Sequence, residues 1–333
     1  MRKIDIIKKK IIKKRFKPKR FLSNTHLQTI LGVTTNKKNK IVYKAQRRRF
    51  KVNNDFIEGD CYWQENKNDK ATILIVHGIG GSSREHYVLR FIKKAFENKY
   101  NVVALNLRSC GGTEKISKRL YNSGDSKDIL FVIKNLFIKD KLSKFFILGF
   151  SLGGNICLKL AGEIKRNYKI LGIATISPLI DLKTAEKNID YNPKNKFYQK
   201  RILNSLKSII IKKSPYFPIY DSSKLRDILT IRNFDKTYHV DIGEFKSVDF
   251  YYNKVSAINY IKKIKIPTLI IHSKDDPVIP VKEIKKAIKM NKNIIGLISK
   301  YGGHAGFIGE RQYNDIDEFW AENRVLEFFN YLK

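Results

Sequence analysis

Two apolar stretches near the start of the chain, 41–52 and 56–63, flank the turn-forming cluster Asn53-Asn54-Asp55. This pattern predicts an antiparallel hairpin. From Thr72 onward, short continuous apolar runs at 73–76, 102–106, 145–149, 172–176, 268–272 and 294–298 alternate with longer stretches of helical period. Strands apolar on both faces, separated by amphipathic helices, are what a buried parallel sheet of βα units requires. Helices are expected over 125–137, 152–165 and about 315–332, and Ser82-x-x-Glu85 reads as a capping box opening the first helix of the series. Between about 181 and 265 the rhythm breaks into helical pieces rich in Pro, Tyr and Lys, then resumes at Pro267. The expected fold class is therefore α/β, a mostly parallel central sheet with an N-terminal antiparallel hairpin and an inserted helical cap.

The first 20 residues are different in character: eleven are Lys or Arg, one is Asp, and Ile4, Ile7 and Ile11 stand at helical spacing before Pro18. They are read as a basic N-terminal arm, with 21–333 forming the main domain. The whole chain carries a net charge of +36, enough to attract anionic surfaces over several ångströms. Most of that excess is assigned to a lysine-rich solvated surface. No specific nucleic acid is expected, and the arm is a candidate for peripheral contact with an anionic membrane. Cys61, Cys110 and Cys157 are odd in number and show no metal or redox spacing, which suits a reducing, cytoplasmic setting. No apolar run is long enough to span a bilayer.

The chemistry is concentrated in Gly149-Phe150-Ser151-Leu152-Gly153, a G-x-S-x-G pentapeptide between an apolar run and a helical pattern. A strand turning sharply into a helix projects the serine hydroxyl outward, and glycines two residues either side make room for the turn. The hydroxyl then needs a base, and the base needs an orienting acid. Both are sought further along the chain, where Asp275-Asp276-Pro277 follows the run 268–272 and Gly302-Gly303-His304 follows 294–298. Ser151 is thus the candidate nucleophile and His304 the candidate base. Of the two aspartates, Asp276 is preferred because it immediately precedes a turn, leaving Asp275 to a local hydrogen bond. His77-Gly78-Ile79-Gly80-Gly81 ends the run 73–76, so the backbone amides of Ile79 and Leu152 are the candidate oxyanion donors. His26, His77, His86, His239 and His272 are scattered and treated as structural, with no metal and no cofactor expected.

Further motifs lie outside this set: Asn24-Thr25-His26-Leu27-Gln28-Thr29, Asn106-Leu107-Arg108-Ser109-Cys110-Gly111-Gly112, Ser177-Pro178-Leu179, Asn233-Phe234-Asp235 and Tyr251-Tyr252. Together with the elbow and the His304 loop they resemble the YheT-like α/β-hydrolases, also called the AB hydrolase 4 family. That resemblance implies carboxylester hydrolysis by a triad matching Ser151, Asp276 and His304, on a small-molecule ester or an acyl lipid. Two alternatives stand beside it. One is acyl transfer by the same triad; the other is a basic protein that binds membrane or nucleic-acid surfaces on a hydrolase scaffold.

Overall fold

The computed structural model describes residues 2–35, 43–164 and 169–333. Residue 1 of the basic arm, residues 41–42 of the first expected strand and residue 165 of the expected helix 152–165 lie outside the described residues. Helices α1 (Lys3–Ile11) and α2 (Thr25–Thr34) precede the hairpin of β1 (Gln46–Val52) and β2 (Asp55–Tyr62). Val52 pairs with Asp55, so the turn has shrunk to Asn53 and Asn54, with Asn53 at φ 55°. Asparagine tolerates that left-handed conformation better than most residues. Then follow β3 (Thr72–Val76), α3 (His86–Glu97), β4 (Asn101–Asn106), α4 (Ser126–Lys139), β5 (Phe145–Phe150), α5 (Leu152–Glu163) and β6 (Ile170–Ile176).

The cap occupies the stretch between β6 and the next strand. It contains α6 (Leu182–Tyr191), α7 (Lys196–Lys213), α8 (Ile231–Asp235) and α9 (Val248–Val255). Strand β7 (Thr268–Ser273), α10 (Val281–Met290), β8 (Ile294–Ser299) and α11 (Trp320–Leu332) complete the chain. The eight strands form one sheet in the order β1-β2-β4-β3-β5-β6-β7-β8. β1 and β2, and β2 and β4, pair antiparallel; the remaining pairs are parallel.

Side-chain alternation divides the interior into two cores. Ile73, Ile75, Phe146 and Leu148 face α3 and α11, whereas Leu74, Val76 and Ile147 face α4, α5 and the cap. This explains why the strands read as unbroken apolar runs: both faces are covered, so neither alternate position meets water.

Two helix starts differ from expectation. Helix α3 begins at His86 rather than at the Ser82 box, because Ser83 is held by β4 and β2: its amide donates to Asn106 Oδ1 at 2.8 Å and its hydroxyl to Asp60 Oδ2 at 2.6 Å. Those bonds keep residues 82–85 in a turn. Helix α11 begins at Trp320 rather than near Asp315. Asp317 is drawn off by Lys94 at 2.7 Å, and Phe319 bridges to Ile308, so the chain is committed to tertiary contacts before it can wind.

The N-terminal segment is docked on the sheet domain. Ile4, Ile7 and Ile11 are 7%, 3% and 0% exposed and join the core on the α11 side, while Phe16 packs on Phe307 and Trp320. Each buried isoleucine contributes about 1.5–3 kcal/mol relative to exposure. A bilayer would offer much the same for those side chains, so undocking gains nothing and uncovers α11. The isoleucine face is therefore a packing face, and the lysines of α1 point to solvent. Among the described residues no helix is long and apolar enough to cross a membrane.

Candidate active site

Ser151 sits between β5 and α5 with φ 49° and ψ −116°, a conformation costly for any residue with a Cβ. The surroundings hold it there. Its amide donates to the Ile176 carbonyl at 3.0 Å, and its carbonyl accepts from Leu179 at 3.1 Å. The turn also demands close approach of α5 to the neighbouring strand: a Cβ on Gly153 would lie 2.4 Å from the carbonyl oxygens of Val76 and His77. Any larger residue there would push the helix off the sheet.

His304 reaches the serine from the loop after β8. Its Nε2 lies 3.0 Å from Ser151 Oγ, and its Nδ1 lies 2.9 Å from Asp276 Oδ2. Asp276 follows β7, and its second oxygen accepts the amides of Val278 and Ile279, each at 2.9 Å. Burial alone would raise this carboxyl. The charge and hydrogen bond of His304, the nearby His272 and the Ile279 amide outweigh that, so its pKa falls below 3.8 and the group stays ionised. Asp275 does something else: its Oδ1 accepts the Gly303 amide at 3.0 Å, bracing the histidine loop from below.

The loop after β3 brings Gly78 against the serine, where a Cβ on that glycine would stand 3.4 Å from Ser151 Cβ. The neighbouring amides are taken: Gly78 donates to Tyr87 Oη and Gly80 to Tyr121 Oη, both at 3.0 Å. Among the described residues no hydrogen bond engages the amide of Ile79 or of Leu152, and both residues line the cavity above Ser151. His77 is buried beneath this loop, with Nδ1 2.7 Å from the Gly78 carbonyl and Nε2 accepting from Leu107 at 3.1 Å. Burial depresses its pKa to about 4, which keeps the ring neutral and able to donate at one nitrogen while accepting at the other.

Sequence reading missed the part played by α2. Thr29 Oγ1 accepts the backbone amide of His304 at 2.9 Å. Gln28 clamps the chain beyond it, with Oε1 accepting from Ile308 at 2.8 Å and Nε2 donating to the Ile308 carbonyl at 2.9 Å. Helix and loop pack so closely that a Cβ on Gly306 would lie 2.2 Å from the Gln28 carbonyl. The signal was present as Asn24 to Thr29, a polar motif on a short helix with no periodicity to explain Gln28 and Thr29. His26 lies in the first turn of this helix, its Nδ1 2.8 Å from the Tyr198 hydroxyl on cap helix α7.

A cavity of about 340 Å³ opens over Ser151 and His304, walled by cap side chains such as Leu182, Ile189, Ile202 and Leu206. The exposed lining is mainly apolar, as in sites that hold a hydrocarbon portion, with Glu186 and Asp235 among its polar groups. Buried Asn155 joins nucleophile helix and cap, donating to the carbonyls of Ser123 and Val255 and accepting from Ala257.

Sheet order, elbow and histidine loop together define an α/β hydrolase. A model of the alpha/beta hydrolase fold matches residues 71–310, and the chain belongs to that family. It is 27% identical to YheT of Escherichia coli K12, which carries an esterase designation, over 94% of this chain and 92% of that protein. The resemblance to YheT-like hydrolases thus extends along nearly the whole chain. Monoacylglycerol lipase of Saccharomyces cerevisiae is 29% identical over 73% of this chain and 56% of its own length. Among solved structures, the esterase Pf2001 of Pyrococcus furiosus shares the fold, with a TM-score of 0.57 over 90% of this chain and 96% of that one at 20% identity.

Proposed function

We propose that this hydrolase is a serine esterase acting on carboxylic esters with a hydrocarbon portion, through an acyl-enzyme formed on Ser151. The observation that carries the reading is the continuous hydrogen-bonded chain Ser151 Oγ, His304, Asp276, with separations of 3.0 and 2.9 Å. His304 Nε2 takes the hydroxyl proton as Ser151 Oγ attacks the ester carbonyl. The tetrahedral oxyanion is received by the amides of Ile79 and Leu152, at the positive end of α5. Collapse breaks the bond to the alcohol oxygen, which leaves with the proton from His304. Water, deprotonated by the same ring, then attacks the acyl carbon and returns Ser151 Oγ–H and a free acid. Asp276 holds the ring in the tautomer with its proton on Nδ1 and stabilises the imidazolium.

Residues 21–333 are proposed to be the catalytic unit with 181–265 as its cap. Contact with an anionic membrane is assigned to the exposed lysines of α1 and is accordingly electrostatic and salt-sensitive. The decisive test is labelling of wild type and Ser151→Ala by a fluorophosphonate, together with turnover of p-nitrophenyl esters of increasing chain length. Labelling confined to wild type, with hydrolysis, is the expected result. Labelling without hydrolysis, but with product transferred to an added alcohol, moves the assignment to acyl transfer.

A further inference from the structure

The cap side of the cavity carries an acidic group that the ester mechanism does not use. Glu186 on α6 lines the cavity and is only 4% exposed, and neither of its carboxylate oxygens has a hydrogen-bond partner among the described residues. The nearest cation, Arg232 on α8, holds Asp249 at 2.6 Å through Nη2 and reaches Glu186 through Nη1 only as a long ion pair of 3.9 Å. Asp235, also on α8 and also lining the cavity, accepts the hydroxyl of Tyr252 at 2.7 Å, and His239 Nε2 lies 3.8 Å from its other oxygen.

Free donors are scarce around Glu186, and the one that faces it, Arg232 Nη1, stands off at 3.9 Å. The Tyr252 hydrogen is already given to Asp235, and the Tyr251 hydroxyl donates to Ser123 Oγ at 3.1 Å. His239 Nδ1 is turned toward Glu244 at 3.4 Å. Asp190, one turn along α6 from Glu186, is an acceptor already occupied by the amides of Ile231 and Arg232. Acceptors therefore outnumber available donors, and a buried carboxylate left without a hydrogen bond is costly. In a chain of net charge +36 this is an acidic enclosure set in an otherwise basic molecule.

The geometry points to a subsite in which Glu186, supported by Asp235, binds a protonated amine carried by the substrate, so that the preferred ester bears an ammonium group on its cap-side portion. This rests on the cavity being the substrate site of the proposed esterase. The groups facing Glu186 are Asp190 on its own helix, Asp235 and Arg232 from α8, and the Tyr252 ring from α9. Burial, then repulsion from Asp190, lift its pKa to about 7 despite Arg232, while burial raises Asp235 to about 6. Ionised acceptors are thus available above about pH 7 and fade below it.

Two probes of equal length decide the matter: 1-octylammonium and 1-octanol, titrated calorimetrically into the full chain carrying Ser151→Ala. At pH 8 the ammonium is expected to bind about tenfold tighter or more, the size of a charge-assisted bond to a buried acceptor. The ratio should shrink as pH falls from 8 to 5.5, and adding Glu186→Gln should bring it near one while octanol affinity is kept. Equal affinities at pH 8, or an undiminished ratio in the Glu186→Gln chain, overturn the subsite. Should that variant not fold, the pH series alone decides, and a flat ratio overturns it. Ester turnover by wild type is measured in parallel: ammonium preference without turnover removes the esterase reading and keeps the subsite, whereas turnover without preference removes the subsite only.

Discussion

Thr29 holds the backbone amide of His304 at 2.9 Å, so a helix near the start of the chain sets the height of a loop 275 residues later. The loop has little regular structure of its own, and its glycines leave it adaptable. Its position is therefore imposed from α2, through Thr29 and Gln28, and from β7, through Asp275.

Thr29→Val keeps the shape of the side chain and removes the acceptor. We expect kcat to fall roughly 10- to 100-fold, the scale of a misplaced catalytic group, with KM little changed. Thr29→Ser should recover most of the loss. A drop in KM-dependent binding with kcat intact would show that Thr29 serves the cavity wall instead.

Ser151→Ala and His304→Ala should each lower ester turnover by several orders of magnitude while leaving the unfolding midpoint close to that of wild type. Steady-state rates and urea unfolding on the same preparations check both halves. Full turnover in either variant sinks the mechanism.

The tandem aspartates should separate cleanly. Asp276→Asn is expected to cost roughly 1,000-fold or more in kcat, because an amide cannot hold the required tautomer. Asp275→Asn loses the charge from one bond to the Gly303 amide, so about tenfold is expected. Equal losses would mean that the loop brace matters as much as the acid.

His77 should give the folded state a pH dependence of its own. Its pKa is lowered from 6.5 to about 4 by burial, so between these values the unfolded chain binds the proton and the folded chain does not. Stability from this residue is thus complete above pH 6.5 and declines as pH falls toward 4, by about 3 kcal/mol over the window. Urea midpoints measured from pH 7 to 4.5 should fall less steeply for His77→Gln than for wild type. Parallel slopes would count against a neutral buried ring.

Ile11→Ala should destabilise the fold by about 2–5 kcal/mol, as expected for a large-to-small change in a filled core. A chain starting at Phe21 should unfold earlier as well as bind anionic vesicles less at low salt. If truncation changes vesicle binding alone, α1 is not held by the core.

Much of this was legible in the linear pattern, for stated reasons. Ser151 could be placed because strand, turn and helix around it are local, and a G-x-S-x-G turn needs only its own neighbours to take shape. The six parallel strands could be read because burial on both faces leaves apolar runs that no other element shares at that length. Asp276 was preferred over Asp275 from the turn at Pro277, and the structure brings Asp276, not Asp275, to His304 Nδ1.

Other features depended on partners far away in the chain. Ser82 and Glu85 satisfy the local rule for a helix start, yet Asp60 and Asn106 claim Ser83 first. Ile4, Ile7 and Ile11 describe an amphipathic helix equally well on a membrane or on α11, since period reports which face is apolar and not what covers it. The same holds for Thr29, which meets His304, and for Glu186, whose isolation arises only because α6, α8 and α9 close around it. The sequence by itself determined the elements, their alternation and the local turn that presents Ser151, because these follow from period and backbone sterics. Only the tertiary structure decided which distant groups meet across the sheet edge, because hydrogen-bond partners and burial are properties of assembled surfaces and leave no periodic trace along the chain.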